Sequence, residues 1–486
     1  MRGQRPGRKG DLQEMLFVES KISGQGVDAR TRLALIARLQ EKGLTPLIRA
    51  ARMNCYEQAL LGVVRAGEME RAVADWTETE DDRPYICGDL FCFEDFVLFL
   101  IFGNGEDEAA GMRAGIVYGA ELSDPLRELD AFCQSVGAAL DAVRESAGPG
   151  GAAGVEWSLR ESAVSRSLER FAAETPEKGS SAAGRRDELA EPRAIELLED
   201  VKARRLLHRL REAHVDGRVT ELLANARDDA QTLSLIDRMA DVGLLRREIL
   251  VSCRAKGRSL FRLPSPDALN VITASSAMCS ECGAAIADEK IEDLVTPTAT
   301  ASLLLEDGSW LAKRIHSQLR GLGIPEKQIA AGPTSDDGEA HILVNVSDEP
   351  FLFVLRDGDV TTANARHALA RQMELEAPHL VVVATGKVQE DARVRLREHA
   401  RRRARGGSDV EIILIEGAEA ADELGRAFER VSERALAREL SALNASLGLS
   451  VGFIIATRFR LMQRTGALKD LAASGVDALA GSLREF

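Results

Sequence analysis

The groups best suited to chemistry in this 486-residue chain are thiols and guanidinium groups at recurring spacings. Cys253-Arg-Ala-Lys256-Gly257 and Cys279-Ser-Glu-Cys282-Gly283 share one frame, and each leads into a stretch that reads as a hairpin. A Cys-x-x-Cys-Gly turn offers two thiolates to one cation. Two such turns face to face complete the tetrahedral sulfur set of a structural zinc site. Cys253, Cys279 and Cys282 supply three of the four positions, and Lys256 stands in the fourth. Zinc here therefore requires a fourth ligand from elsewhere; otherwise the unit folds without metal. Around the first turn, Arg246, Arg247, Arg254, Lys256, Arg258 and Arg262 gather against the single acid Glu248. Clustered cations of this kind neutralise phosphates and release counterions, although they also suit a solvated face or a grip on an acidic neighbour. A second basic run holds Arg401, Arg402 and Arg403, which have fewer i, i+4 acidic partners than the arginines preceding them.

The elements that must position these groups read from hydrophobic period. From residue 194 to 263, a helix over 195–211, a short helix over 220–226 and a third over 232–242 precede two strands, 248–252 and 259–263, joined around Lys256-Gly257. This order resembles a winged helix-turn-helix domain, which implies a third helix entering the major groove and a hairpin wing touching the backbone. On that third helix only Arg238 and a few neutral groups suit base edges or phosphate. The cysteine frames resemble a degenerate zinc ribbon over 253–292, overlapping the wing and bracing it against the next domain.

From about Gly308 to Gly417 the pattern is a helix (309–320), three strands (328–331, 341–346, 351–356), a helix (361–375), a strand (380–385), a basic helix (388–403) and a last strand (411–415). Short β-branched runs such as His341-Ile-Leu-Val and Leu380-Val-Val-Val, bounded by turn signals, carry the strand assignments. The order over 301–417 resembles the restriction-endonuclease-like, PD-(D/E)XK, fold. That resemblance implies a metal-binding Asp on the middle strand and Glu-x-Lys on the next, holding Mg²⁺ and steadying the attacking water. At the matching positions stand His341, Val354 and Arg356. Valine cannot ligate Mg²⁺ and imidazole is a poor ligand for so hard an ion, so the standard site is degenerate. A displaced site from Glu339, on the same strand face as His341, with Asp357 and Asp359 just past the next strand, is the catalytic alternative.

The remaining chain reads as an α+β sensory or dimerisation domain over 12–146, a linker over 147–193 with a helix inside it, and a helical extension over 418–486. The fold class is thus multidomain α/β and α+β. In the first domain, two strands flank Glu94-Asp95, a third covers 114–118 and a long helix covers 123–143. Its Cys87 and Cys92 read as core thiols on strands, and Cys55 and Cys133 as residues of apolar helix faces. In the extension, 420–443 reads as one long amphipathic helix suited to a homodimer seam, and 449–455 as a strand. A net charge of −14 excludes a surface coated in nucleic acid yet permits a local basic face. Met1 to Gly10 is basic without an apolar run behind it, and the longest apolar run, 96–102, is too short to span a bilayer. Seven cysteines, an odd number, do not form a disulfide framework, which points to the cytoplasm. No Walker loop, dinucleotide fingerprint or Gly-x-Ser-x-Gly elbow occurs.

These features support two expectations of function. The first is a non-catalytic regulatory scaffold that binds nucleic acid, DNA foremost, or a partner protein through a pseudo-nuclease domain and winged helix. The second is a Mg²⁺-dependent nuclease of defence or repair using the displaced site.

Overall fold

The computed structural model describes residues 15–80, 85–103, 111–147, 154–160, 163–173, 191–215, 230–275, 277–306, 308–332, 339–406, 410–417 and 420–462. Over these residues the chain is mixed α/β, with three sheets. The short helix expected over 220–226 lies outside the described residues.

The first sheet is antiparallel. It contains β1 (Phe17–Ser23), β2 (Gly88–Cys92), β3 (Phe96–Phe102), β4 (Met112–Tyr118) and β5 (Ser158–Leu159) in the order β2-β3-β4-β1-β5. Alternation sends Leu98, Leu100, Ile116 and Tyr118 to one face, where they meet α1 (Ala29–Glu41) and α4 (Pro125–Ala147) through Leu35, Leu39, Phe132 and Val136. The helices α2 (Leu47–Leu60) and α3 (Val63–Glu80) lie between β1 and β2 in the chain. No side chain of Pro46 caps α2; instead the buried carboxylate of Asp89 on β2 accepts from the backbone N–H of Ile48 at 2.7 Å and of Arg49 at 2.9 Å. Among the cysteines of this region, Cys133 is buried as expected, whereas Cys55 and Cys92 are exposed and Cys87 is half-buried.

The opposite face of this sheet is covered by the C-terminal helices. Leu90, Val97, Phe99 and Val117 pack against Leu436, Leu440, Leu443, Val451, Ile455 and Phe459. These residues come from the end of α14 (Ala421–Glu439), from Leu440 that caps it, from α15 (Ser441–Leu447) and from a helix over 451–462, here α16. The strand expected at 449–455 is therefore a helix. Val451, Ile455, Ala456 and Phe459 are buried together, a spacing that lies on one face of a helix, whereas a strand would turn Ala456 to the face opposite Ile455. The apolar face expected to form a dimer seam is used within the chain. Farther back, Leu424, Phe428 and Val431 of α14 belong to the core of the second sheet.

That second sheet holds β9 (Ile329–Ala331), β10 (Glu339–Val346), β11 (Glu349–Arg356), β12 (His379–Ala384) and β13 (Ile412–Glu416), in the order β13-β12-β11-β10-β9. The β9, β10 and β11 strands pair antiparallel, and β11, β12 and β13 pair parallel. The parallel strands are apolar on both faces, Leu380 to Ala384 being buried without exception, because helices cover both sides. One side meets α11 (Ser309–Gly321) and α14, with Trp310, Ile315 and Phe428 against Ile342, Phe351 and Phe353. The other meets α12 (Thr362–Glu374) and α13 (Glu390–Arg405) through Ala365, Ala368, Ala392 and Leu396. The helix expected inside the linker, α5 (Ala163–Ala173), joins this second face: Phe171 is fully buried with Leu343 and Leu352. It serves as part of the sheet's cover. A side chain at Gly332 would strike the Phe171 ring, its Cβ falling 2.3 Å from a ring carbon.

The third sheet lies between these in sequence. Helices α6 (Glu191–Leu197) and α7 (Val201–Val215) divide what reads in the sequence as one helix, and α8 (Ala230–Asp241) follows. Next come β6 (Leu245–Ser252), β7 (Ser259–Leu263), α9 (Pro266–Ala274), β8 (Lys290–Pro297) and α10 (Ala299–Glu306). The central strand is β6, antiparallel to β7 on one side and to β8 on the other. Where the structure has β8, hydrophobic period alone gives only a connection.

Candidate functional site

Residues expected to form the displaced carboxylate site sit at the end of β10 and β11. In the antiparallel register Glu339 faces Arg356 and His341 faces Val354. Val354 is buried in the core shared with α12 and α13. Glu339, 2 % exposed, accepts from Asn364 Nδ2 at 2.7 Å and from Arg356 at 3.4 Å. Asn364 is fixed for this task by the N-terminus of α12, where it and Thr361 form a capping box. Arg356 also donates Nε to the carbonyl of Asp359 at 3.0 Å.

Successive strand residues point to opposite faces, so Asp357 leaves Arg356 and turns toward α11. There it accepts from Trp310 Nε1 at 3.0 Å and from Thr385 Oγ1 at 2.7 Å. Arg204 of α7 lies 3.5 Å from the same carboxylate and 4.8 Å over the Trp310 ring. Asp359 accepts from the backbone N–H of Lys387 at 2.7 Å. The expected convergence of Glu339, Asp357 and Asp359 is thus replaced by three separate hydrogen-bonded stations. Glu339 faces α12 and Asp357 faces α11, on opposite sides of the sheet. Among the described residues they form no group whose ligand atoms lie close enough to share an ion.

A different cluster meets that condition. Ligand atoms of Cys253, Cys279, Cys282 and Glu289 all lie within 4.8 Å of one another, and the four could hold a metal ion. Local backbone geometry explains the cysteines. In the first turn the N–H of Cys253 donates to the Arg258 carbonyl and that of Gly257 to the Cys253 carbonyl, both at 2.7 Å. In the second, Cys279 donates to Ala284 at 2.7 Å and Gly283 to Cys279 at 2.9 Å. The offsets are identical. Both glycines close their turns at positive φ, +67° for Gly257 and +75° for Gly283, where a Cβ would be strained. The shared frame seen in the sequence is therefore a shared fold.

Lys256, at the position matching Cys282, reaches Glu281 at 3.3 Å, and Arg258 approaches the same carboxylate at 3.6 Å. The two turns sit on a small apolar cluster of Ile249, Val251, Leu263 and Ile286. Cys282 Sγ lies 2.9 Å from Glu289 Oε1, and the other Glu289 oxygen accepts the backbone N–H of Arg254. That N–H, with the Cys282 hydrogen bond second, holds the Glu289 carboxyl down at about 2. The same Glu289 contact pushes the Cys282 thiol up to about 12. Burial raises Cys253, but backbone N–H groups led by that of Lys256 outweigh it and leave the thiol below its usual range. Glu289 carried no signal in the sequence: no metal-ligand spacing reaches it, and only its burial and direction single it out.

The basic residues are dispersed. On β6, Arg246 lies 3.9 Å from Glu248, and Arg247 pairs with Asp237 of α8. Lys256 and Arg258 share Glu281, while Arg254 and Arg262 are exposed and Arg238 lies exposed on α8. Arg401 and Arg402 are exposed at the end of α13, Arg402 lying 3.5 Å from Glu398, and Arg403 is half-buried. These cations lie on separate elements, α8, β6, the first cysteine turn, β7 and α13.

No protein-family model, curated protein or solved structure matches the chain. No helix among the described residues is long and apolar enough to cross a membrane.

Proposed function

We propose that the chain is a non-catalytic binding protein: a pseudo-nuclease of restriction-endonuclease-like fold, joined to a winged helix with a zinc-ribbon-like insert, that binds nucleic acid, DNA foremost, in the cytoplasm. One observation carries the reading. Every carboxylate that would replace the missing nuclease ligands is bound to protein, and Asp357 is held by Trp310, Thr385 and Arg204. A fold that keeps its core and lacks its site keeps no chemistry by itself.

The nucleic-acid part of the reading rests on the exposed cations Arg238, Arg254, Arg262, Arg401 and Arg402, set on α8, the first cysteine turn, β7 and α13. In this reading Cys253, Cys279 and Cys282 hold a structural zinc ion. The metal would cross-link the turn between β6 and β7, at the tip of the wing hairpin, to the segment before β8, the other neighbour of β6. Zinc would supply folding energy there and no reaction step. Binding of labelled duplex and single-stranded DNA and RNA over a salt series tests the proposal. It expects affinity that falls steeply with salt, from release of counterions at several phosphates. Absence of salt-dependent binding to any of the four would leave the domain as a protein-binding scaffold and overturn the reading.

A further inference from the structure

We propose that Glu289 is the fourth ligand of a tetrahedral Cys3Glu zinc centre completed by Cys253, Cys279 and Cys282. This proposal rests on the zinc reading above and assigns the corner that the cysteine frames leave empty. The two turns are superimposable in their hydrogen bonds, so the first should present a second thiolate at position 256. Lys256 stands there and turns outward to Glu281. Glu289 arrives from another direction, immediately after the 3-10 turn Ile286–Asp288, whose Ile286 is buried in the apolar cluster beneath the cysteines.

Three observations make it a ligand and not a bystander. First, its carboxylate oxygen and the three sulfurs lie mutually within 4.8 Å. Zn–S bonds of about 2.3 Å place tetrahedral corners roughly 3.8 Å apart, so a small inward movement closes the set. Second, Glu289 is 7 % exposed, and among the described residues no cationic side chain pairs with it. Hydrogen bonds from Arg254 N–H and Cys282 keep this carboxylate ionised, and with no cation beside it among those residues the charge is available to a metal. Third, one oxygen accepts the Arg254 N–H while the other points at Cys282. That division leaves one oxygen for a metal and one for the hydrogen bond that orients a ligating carboxylate.

Cobalt(II) and zinc(II) titrations of the full chain test the assignment, comparing wild type with Glu289→Gln and Glu289→Cys and using far-UV circular dichroism to confirm folding. Wild type should take up one equivalent of Co²⁺ with sulfur-to-cobalt charge-transfer absorption for three thiolates. In Glu289→Cys that absorption should rise by about a third, because four thiolates then surround the ion. Glu289→Gln should keep the three-thiolate absorption while affinity falls by more than about tenfold, the scale seen for groups that set a metal ligand. Unchanged absorption in Glu289→Cys together with unchanged affinity in Glu289→Gln would overturn Glu289 as a ligand while leaving a zinc site standing. Should Glu289→Gln fail to fold, the Glu289→Cys spectrum alone decides. Failure of the wild type to bind either metal would overturn the zinc reading itself.

Discussion

Replacing Asp357 by alanine should unfold the protein more readily, because the residue acts as structure where a nuclease would use it as a ligand. Its carboxylate lies 3.5 Å from Arg204 and accepts from Trp310 Nε1 at 3.0 Å and Thr385 at 2.7 Å. Trp310 is fully buried and Arg204 nearly so. Removing one member of a buried ion pair typically costs about 3–5 kcal/mol. The contact here is long, the Asp357 side chain is 18 % exposed and Arg204 keeps hydrogen bonds to the carbonyls of Leu198 and Glu199, so the lower end is an upper bound. An orphaned indole N–H adds roughly 1 kcal/mol or more. The expected loss for Asp357→Ala is therefore on the order of 4 kcal/mol. In Asp357→Asn the amide oxygen still accepts one bond, and about half that loss is expected. Urea unfolding followed by tryptophan fluorescence reads both. In a cycle with Arg204→Met, the Asp357→Ala penalty should shrink by about 1–3 kcal/mol, since contacting residues couple. An Asp357→Ala protein within about 0.5 kcal/mol of wild type, the range of ordinary surface substitutions, would refute the reasoning.

Other parts of the chain give two further expected outcomes. Burial, opposed by the N–H groups of Ile48 and Arg49, raises the Asp89 carboxyl to about 6 from an ordinary 3.8. A raised folded-state value means the stabilisation is complete below the ordinary value and is lost as pH rises through about 6. Wild type should thus lose on the order of 3 kcal/mol relative to Asp89→Asn between pH 4 and pH 7.5, and a flat difference would contradict it. Reversing Arg254 and Arg262 to glutamate should weaken DNA binding about equally across sequences and lower the salt slope by about 2, one for each phosphate contact removed. An unchanged slope would place the DNA elsewhere.

The element order from 309 to 416 was legible because its strands are compact β-branched runs closed by turns, as in His341-Ile-Leu-Val and Leu380-Val-Val-Val. The β1 strand was not, since Ser20 and Ser23 sit at buried positions and blur the alternation. At 449–455 a dense apolar run reads as a strand, and only the distant contact of Val451, Ile455, Ala456 and Phe459 with the first sheet shows why it is helical. The two cysteine turns were legible from spacing, because local hydrogen bonds and glycine conformations fix them. Glu289 was not, because its proximity to Cys282 depends on how the 3-10 turn packs. Nor could spacing show that Glu339 and Asp357 diverge: that depends on β11 ending between α11 on one face and α12 on the other.

The central claim is binding without cleavage, and one experiment addresses it most directly. Purified protein is incubated with labelled double- and single-stranded DNA and RNA, with and without Mg²⁺ or Mn²⁺, and complex formation and strand scission are read from the same samples. Binding without cleavage predicts salt-sensitive complexes and intact strands under every metal condition. Metal-dependent scission that disappears in folded Asp357→Asn protein would contradict it, and would show that the divided carboxylates come together on the substrate.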